Sequence, residues 1–131
     1  MKSDEIIKRV QSVAQIPSKG EAEKAIQATL ETLSERILGD EASNLAAQLP
    51  EEFGQCLRGR EGQTGEVFSL EEFYRRVSEK EHIEPTTAVN HVRGVMAVLN
   101  EAVTSGEFAD VQGNLPEEYS ELFMPKLGAG A

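Results

Sequence analysis

The chain has 131 residues, of which 39% are hydrophobic and 27% are charged, and its formal net charge is -10. This length suits one domain over residues 1–131 with a core of its own, and the composition is typical of a soluble globular protein. No apolar run reaches the ~18 residues that a membrane span needs. The N-terminus has no signal-peptide pattern, so we expect a cytoplasmic protein.

The acidic charge argues against nucleic acid as a partner. Acidic residues outnumber basic ones 23 to 13. Phosphate binding needs a cluster or stripe of Lys and Arg. The nearest feature is the pair Arg75-Arg76, which is flanked by Glu71, Glu72 and Glu79. We therefore expect neither a nucleic acid nor a membrane as a partner.

Apolar residues at spacings of three and four predict helices throughout the first half. Three helices are expected in succession, over residues 4–15, 21–38 and 40–49. Pro50 should stop the third helix at Leu49 and open a fourth at its first position, because proline disfavours a helical residue before it. Glu51 and Glu52 then oppose the positive end of the helix dipole.

The second half predicts the same order of elements. Helices are expected over residues 69–81, 85–104 and 106–115. Pro116 should open a fourth helix, and Ser69 with Glu72 forms a capping box. The three glycines of "GREGQTGEVF" predict a flexible linker over residues 59–67, and the C-terminal residues 127–131 are expected to be disordered.

A phrase of Leu-Pro-Glu-Glu-aromatic occurs twice, at residues 49–53 and 115–119, at an offset of 66 positions. The register extends further, since "IIKRVQ" at 6–11 matches "FYRRVS" at 73–78 with an offset of 67. A register that slips by a single loop residue predicts an internal duplication. We therefore expect an all-α domain of two pseudo-symmetric repeats with about four helices each, residues 1–58 and 68–126.

The phrases "LAAQLPEE", "FYRRV" and "ADVQGNLPEEYSELF", together with the two-copy layout, resemble the bacterial proteins grouped as domain of unknown function 2267. The resemblance covers nearly the whole chain. It implies an all-helical duplicated domain, usually small and cytosolic in bacteria. It brings no activity, substrate or catalytic residue with it.

The single cysteine and the two histidines are the first candidates for chemistry. Cys56 falls on the apolar face of its helix, so we interpret it as a small buried hydrophobe and not as a nucleophile. Glu79 and His82 have the Glu-x-x-His spacing of di-iron bundles, but such a site needs a second pair and two more glutamates. His91 has Ala88, and not a glutamate, three residues before it. Its one candidate partner nearby in the sequence is the adjacent Asn90. We expect no metal or other cofactor.

Pairs of carboxylates are the remaining candidates, and each lies at or near a predicted helix start. They are Asp4-Glu5, Asp40-Glu41, Glu51-Glu52, Glu71-Glu72 and Glu117-Glu118. Acidic residues are favoured and solvated at helix starts, so no catalytic, cofactor-binding or metal-binding residue is predicted. The leading hypothesis is a non-enzymatic module for protein interaction or self-association. The alternative is a small-molecule binder or enzyme that uses a cleft between the two repeats.

Overall fold

A computed structural model describes residues 1–123, and in this range the chain forms helices and no strand. The helices are α1 (Ser3–Ala14), α2 (Lys19–Arg36), α3 (Gly39–Ala46), α4 (Glu51–Gly54), α5 (Leu70–Glu81), α6 (Pro85–Ala102), α7 (Ser105–Gly113) and the 3-10 helix η1 (Glu117–Phe123). The all-α prediction is confirmed. The predicted disordered tail, residues 127–131, lies outside the described residues.

Helix starts are set by side-chain caps at several positions. The hydroxyl of Ser69 accepts a hydrogen bond from the backbone N–H of Glu72 at 3.1 Å, so α5 begins where its cap predicts. Ser18 caps α2 in the same way, accepting from the N–H of Glu21 at 3.1 Å. The cap at Ser18 starts α2 two residues before the predicted position.

The corners before the two prolines differ from the prediction. The third helix ends at Ala46 and not at Leu49, whose N–H instead closes a three-residue turn on the carbonyl of Ala46 at 3.1 Å. Pro50 caps α4 and is not its first helical residue. After Pro116 the chain forms a 3-10 helix. Proline disfavours the helical conformation in the residue before it, so the α-helix ends before that residue.

The starts of the helices follow the two offsets found in the sequence. The 12-residue helices α1 and α5 begin 67 residues apart, and the 18-residue helices α2 and α6 begin 66 apart. The residues that end α1 and α5, Gln15 and His82, both take the left-handed conformation, with φ of 55° and 57°. The duplication itself stays a prediction.

The two long helices lie at the centre of one core. Helix α6 packs against α1, α2 and α5, and α2 packs against α1 and α5, so helices of the two halves interleave. Fully buried side chains come from both halves, among them Ile26, Leu33, Phe53, Phe73, Met96 and Tyr119. Burial of such large apolar surface is the main stabilising contribution to a fold of this size.

The segment between the halves, residues 59–67, which we call the connecting segment, is hydrogen-bonded to α2, and its flexibility stays a prediction. The N–H of Glu66 donates to the carbonyl of Glu35 at 2.8 Å. A Cβ on Gly65 would collide with the backbone carbonyls of Arg36 and its neighbour. Here the glycine allows close approach of two backbones, which the sequence pattern does not distinguish from flexibility.

Candidate functional site

Cys56 is half-buried against the hydrophobic core. Burial raises the pKa of its thiol, and the negative charge of Glu31 raises it further. The thiolate is the reactive form of cysteine. This environment suits a packing residue, although Cys56 is half-buried and not fully buried as interpreted from the sequence.

The Glu-x-x-His spacing does not place two ligands on one helical face. His82 ends α5 in the left-handed conformation and its side chain is exposed. The carboxylate of Glu79 pairs with Arg75 at 2.6 Å. The two side chains are therefore separated by the end of the helix and by a competing ion pair.

His91 has a partner that sequence reasoning missed. Its Nδ1 lies 2.9 Å from Oε1 of Glu81, and both side chains are buried between α5 and α6. The offsets of 67 and 66 pair these residues with Ala14 and Ala25, which are buried too. The sequence signal that could have revealed the contact is the presence of an acid and a base in the second half at positions where the first half has two alanines.

The Glu81–His91 contact can fix the two helices to each other. The second carboxylate oxygen of Glu81, Oε2, is buried and has no hydrogen-bond partner among the described residues. Side-chain exposure is only 3% for Glu81 and 7% for His91. A substrate therefore has no direct route to either group, and the arrangement is a buried polar contact within the core.

A second cluster of carboxylates forms where α3 meets α7. Glu41 and Glu107 are the third residues of their helices, and each has one carboxylate oxygen that is buried without a hydrogen-bond partner. Ligand oxygens of Glu41, Glu107 and Asp110 all lie within 4.8 Å of one another. The expectation of a solvated pair at residues 40–41 does not hold for Glu41.

The environment of Glu107 favours its neutral form. Burial raises the pKa of its carboxyl to about 8, and the neighbouring Glu41 and Asp110 raise it in the same direction. Glu41 and Glu107 occupy equivalent positions in the two predicted repeats, since they are 66 residues apart. Their proximity depends on the packing of α3 on α7, which the sequence pattern did not predict.

Both arginines of the Arg75-Arg76 pair in α5 form ion pairs with glutamates. Arg76 lies 3.0 Å from carboxylate oxygens of Glu35, Glu66 and Glu72. Its guanidinium also lies over the ring of Phe68, 3.8 Å from the centroid. This network holds the connecting segment against α2 and α5.

An open groove of about 640 Å³ runs along the starts of α5 and α6 beside η1. Its apolar lining comes from Leu70, Tyr74, Pro85 and Val89. Charged residues of the groove are Glu71, Glu72, Arg75 and Glu121. We name it the α5–α6 groove.

These features define an all-α protein with a buried Glu81–His91 contact, a partly buried cluster of three carboxylates and an open, partly apolar groove. The chain belongs to the DUF2267 family of uncharacterized conserved proteins, whose family model matches residues 3–122. This confirms the resemblance found in the sequence. No curated protein matches the chain. Within residues 1–123, none of the helices has the length and hydropathy that crossing a membrane would require.

Proposed function

We propose that this protein is a non-enzymatic interaction module that binds another protein in the α5–α6 groove. The observation that carries the proposal is that three of the four apolar residues lining the groove have polar counterparts in the first half, whereas Tyr74 pairs with the apolar Ile7. At the offsets of 67 and 66, the counterparts of Leu70, Pro85 and Val89 are Ser3, Lys19 and Glu23. Apolar residues in a groove with charged neighbours are the arrangement of a protein-binding surface.

The charge of the chain favours a partner of a particular kind. A second copy would carry the same net charge of -10, and like charges at this level oppose association. Of the acidic residues in the groove, Glu72 is bound by Arg75 and Arg76, and Glu121 by Arg93. Glu71 remains exposed at the groove. A protein segment with apolar side chains and a positive charge is therefore the best fit.

The alternative, a small-molecule binder or enzyme, has less support from the described residues. Small-molecule sites enclose most of the ligand surface, whereas the α5–α6 groove is open. The pair with the strongest resemblance to an acid and base, Glu81 and His91, does not line the groove and is buried. We also propose a cytoplasmic location, since a lone half-buried Cys56 suits a reducing compartment, and a bacterial source, which the family resemblance implies.

The test is a comparison of two variants of one helix. Val89→Glu introduces the residue that the first half carries at the equivalent position, Glu23, and should fold. Thr87→Glu adds the same charge at an exposed position of α6 outside the groove. Each protein is immobilised, exposed to lysate of the source organism, and the retained proteins are quantified by mass spectrometry.

We expect a partner that the wild type and Thr87→Glu retain equally and that Val89→Glu loses. The purified partner should then bind the wild type at least ~10-fold more tightly than Val89→Glu, a loss of about 1.4 kcal/mol. Equal retention by Val89→Glu, or the absence of any specific partner, would contradict the proposal. Sedimentation of the wild type tests self-association separately, since a dimer broken by Val89→Glu would make a second copy the occupant.

A further inference from the structure

We propose that Glu41, Glu107 and Asp110 bind one hard divalent cation where α3 packs against α7. The site is independent of the α5–α6 groove, because none of the three residues lines it. No metal role follows from the family or from any sequence motif of the chain. The inference rests on how the packing of α3 on α7 brings these carboxylates together.

The spacing of the ligand oxygens is the first argument. Oxygens of the three side chains lie within 4.8 Å of one another. Two oxygens that bind the same ion at ~2.1–2.4 Å are at most about 4.8 Å apart. One oxygen from each side chain can therefore reach a single ion with little movement of the backbone.

The second argument is a buried carboxylate that lacks a donor. Glu107 is 8% exposed, and its Oε2 is buried with no hydrogen-bond partner in the part of the chain that the structure describes. The same is true of Oε2 of Glu41. A buried polar atom without a partner destabilises a fold. A cation bound between the two carboxylates would supply the missing partner, as would a proton shared between them, and the experiment below distinguishes the two.

The donor set indicates the kind of cation. All three ligands are carboxylate oxygens, which Ca²⁺, Mg²⁺ and Mn²⁺ prefer, whereas Zn²⁺ favours nitrogen and sulfur ligands. Asp110 is exposed, so the site is open to solvent on its side. Water would complete the coordination, as is usual for Mg²⁺ at sites with few protein ligands.

The experiment is a calorimetric titration of the EDTA-treated and dialysed chain with MnCl₂, CaCl₂ and MgCl₂ at about pH 8.5. Glu107→Gln keeps the shape of the side chain and removes its charge, and Asp110→Asn does so at the exposed ligand. Glu52→Gln removes one charge from an exposed site elsewhere, on α4, and is the control.

We expect one ion of at least one of these metals per chain. Affinity should fall on the order of tenfold or more in Glu107→Gln and in Asp110→Asn, since ligand charge sets the affinity of such sites. It should be unchanged in Glu52→Gln. Circular dichroism verifies that each variant is folded.

Three results would overturn the proposal. The absence of saturable binding of all three metals at about pH 8.5 would leave the carboxylates as a pair that shares a proton. Equal affinity in the wild type and in folded Asp110→Asn and Glu107→Gln would place the ion elsewhere. An equal loss in Glu52→Gln would show general attraction of cations to an acidic chain.

Discussion

Nδ1 of His91 lies 2.9 Å from Oε1 of Glu81, and this contact joins α6 to the last turn of α5 inside the core. At the equivalent positions of the first half, Ala14 and Ala25 are both buried. The second half therefore holds a buried polar pair where the first half has two methyl groups. A pair of this kind destabilises the fold strongly when one partner is removed, because the other then stays buried alone.

A double-mutant cycle on Glu81 and His91 should show strong coupling. We expect Glu81→Ala and His91→Ala each to lower the free energy of unfolding by about 3 kcal/mol, because each leaves one polar group unpaired in the core. The double variant should lose less than the sum of the two by at least ~1 kcal/mol. Urea unfolding followed by circular dichroism measures all four proteins.

The first half is the precedent for the double variant, since it packs alanine at both positions. Additive losses would mean that the 2.9 Å contact between His91 and Glu81 contributes nothing to stability. In that case the cost of each single variant would come from lost packing volume alone.

The order and type of the helices followed from the sequence because the apolar spacing, the caps and the prolines act locally. Ser69 is an example, since its hydroxyl caps α5 as predicted. The predicted end of α3 at Leu49 was wrong, because the residues before Pro50 form turns with hydrogen bonds from residue i to residue i−3, as Leu49 does to Ala46. The close approach of the connecting segment to α2 at Gly65 could not be predicted, because close approach and flexibility both use glycine.

The acidic contacts could not be predicted in the same way, because they depend on distances between helices. Glu41 and Glu107 are 66 residues apart, and only the packing of α3 against α7 brings them together. Glu81 is on the buried face of α5 with Phe73 and Val77. An acid at such a position was the available sign that a partner of opposite chemistry lay across from it.

Stability should decrease with rising pH because of Glu107. Its folded-state pKa of about 8 lies above the ordinary value of 4.5, so the folded protein holds this proton more tightly than the unfolded chain. The resulting stabilisation is complete below about pH 4.5 and is lost as the pH rises through about 8. Unfolding in EDTA at about pH 5 and 8.5 measures it.

Glu107→Gln should remove this dependence, because a neutral amide replaces the protonated acid at every pH. At about pH 8.5 the variant should be more stable than the wild type by on the order of 1 kcal/mol or more. At pH 5 the two proteins should be nearly equal. A wild type and a Glu107→Gln variant with parallel pH profiles would contradict the raised pKa, and Glu52→Gln controls for the change in net charge.

Phe73 should be one of the largest single contributors to stability. Its side chain is completely buried, and its ring meets that of Tyr119 edge-on with centroids 6.0 Å apart. We expect Phe73→Ala to lower the free energy of unfolding by about 3–5 kcal/mol, through lost burial and the cavity left behind. Val67→Ala, at a position that is 90% exposed, should change it by less than ~0.5 kcal/mol. A loss under ~1 kcal/mol at Phe73 would mean that the ring is not buried in solution.

Replacement of Arg75 or Arg76 by alanine should have very different effects on the free energy of unfolding and on proteolysis. Arg76 bonds the connecting segment through Glu66 and lies 3.8 Å from the ring centroid of Phe68, with a side chain that is 22% exposed. Arg75 is 53% exposed and pairs with carboxylates of its own helix. Arg76→Ala should therefore lower the free energy of unfolding by about 1–2 kcal/mol and increase proteolysis between residues 59 and 67. Arg75→Ala should leave both measurements near the wild type, because exposed pairs within a helix contribute little. Equal effects of the two variants would show that Arg76 does not hold the connecting segment in place.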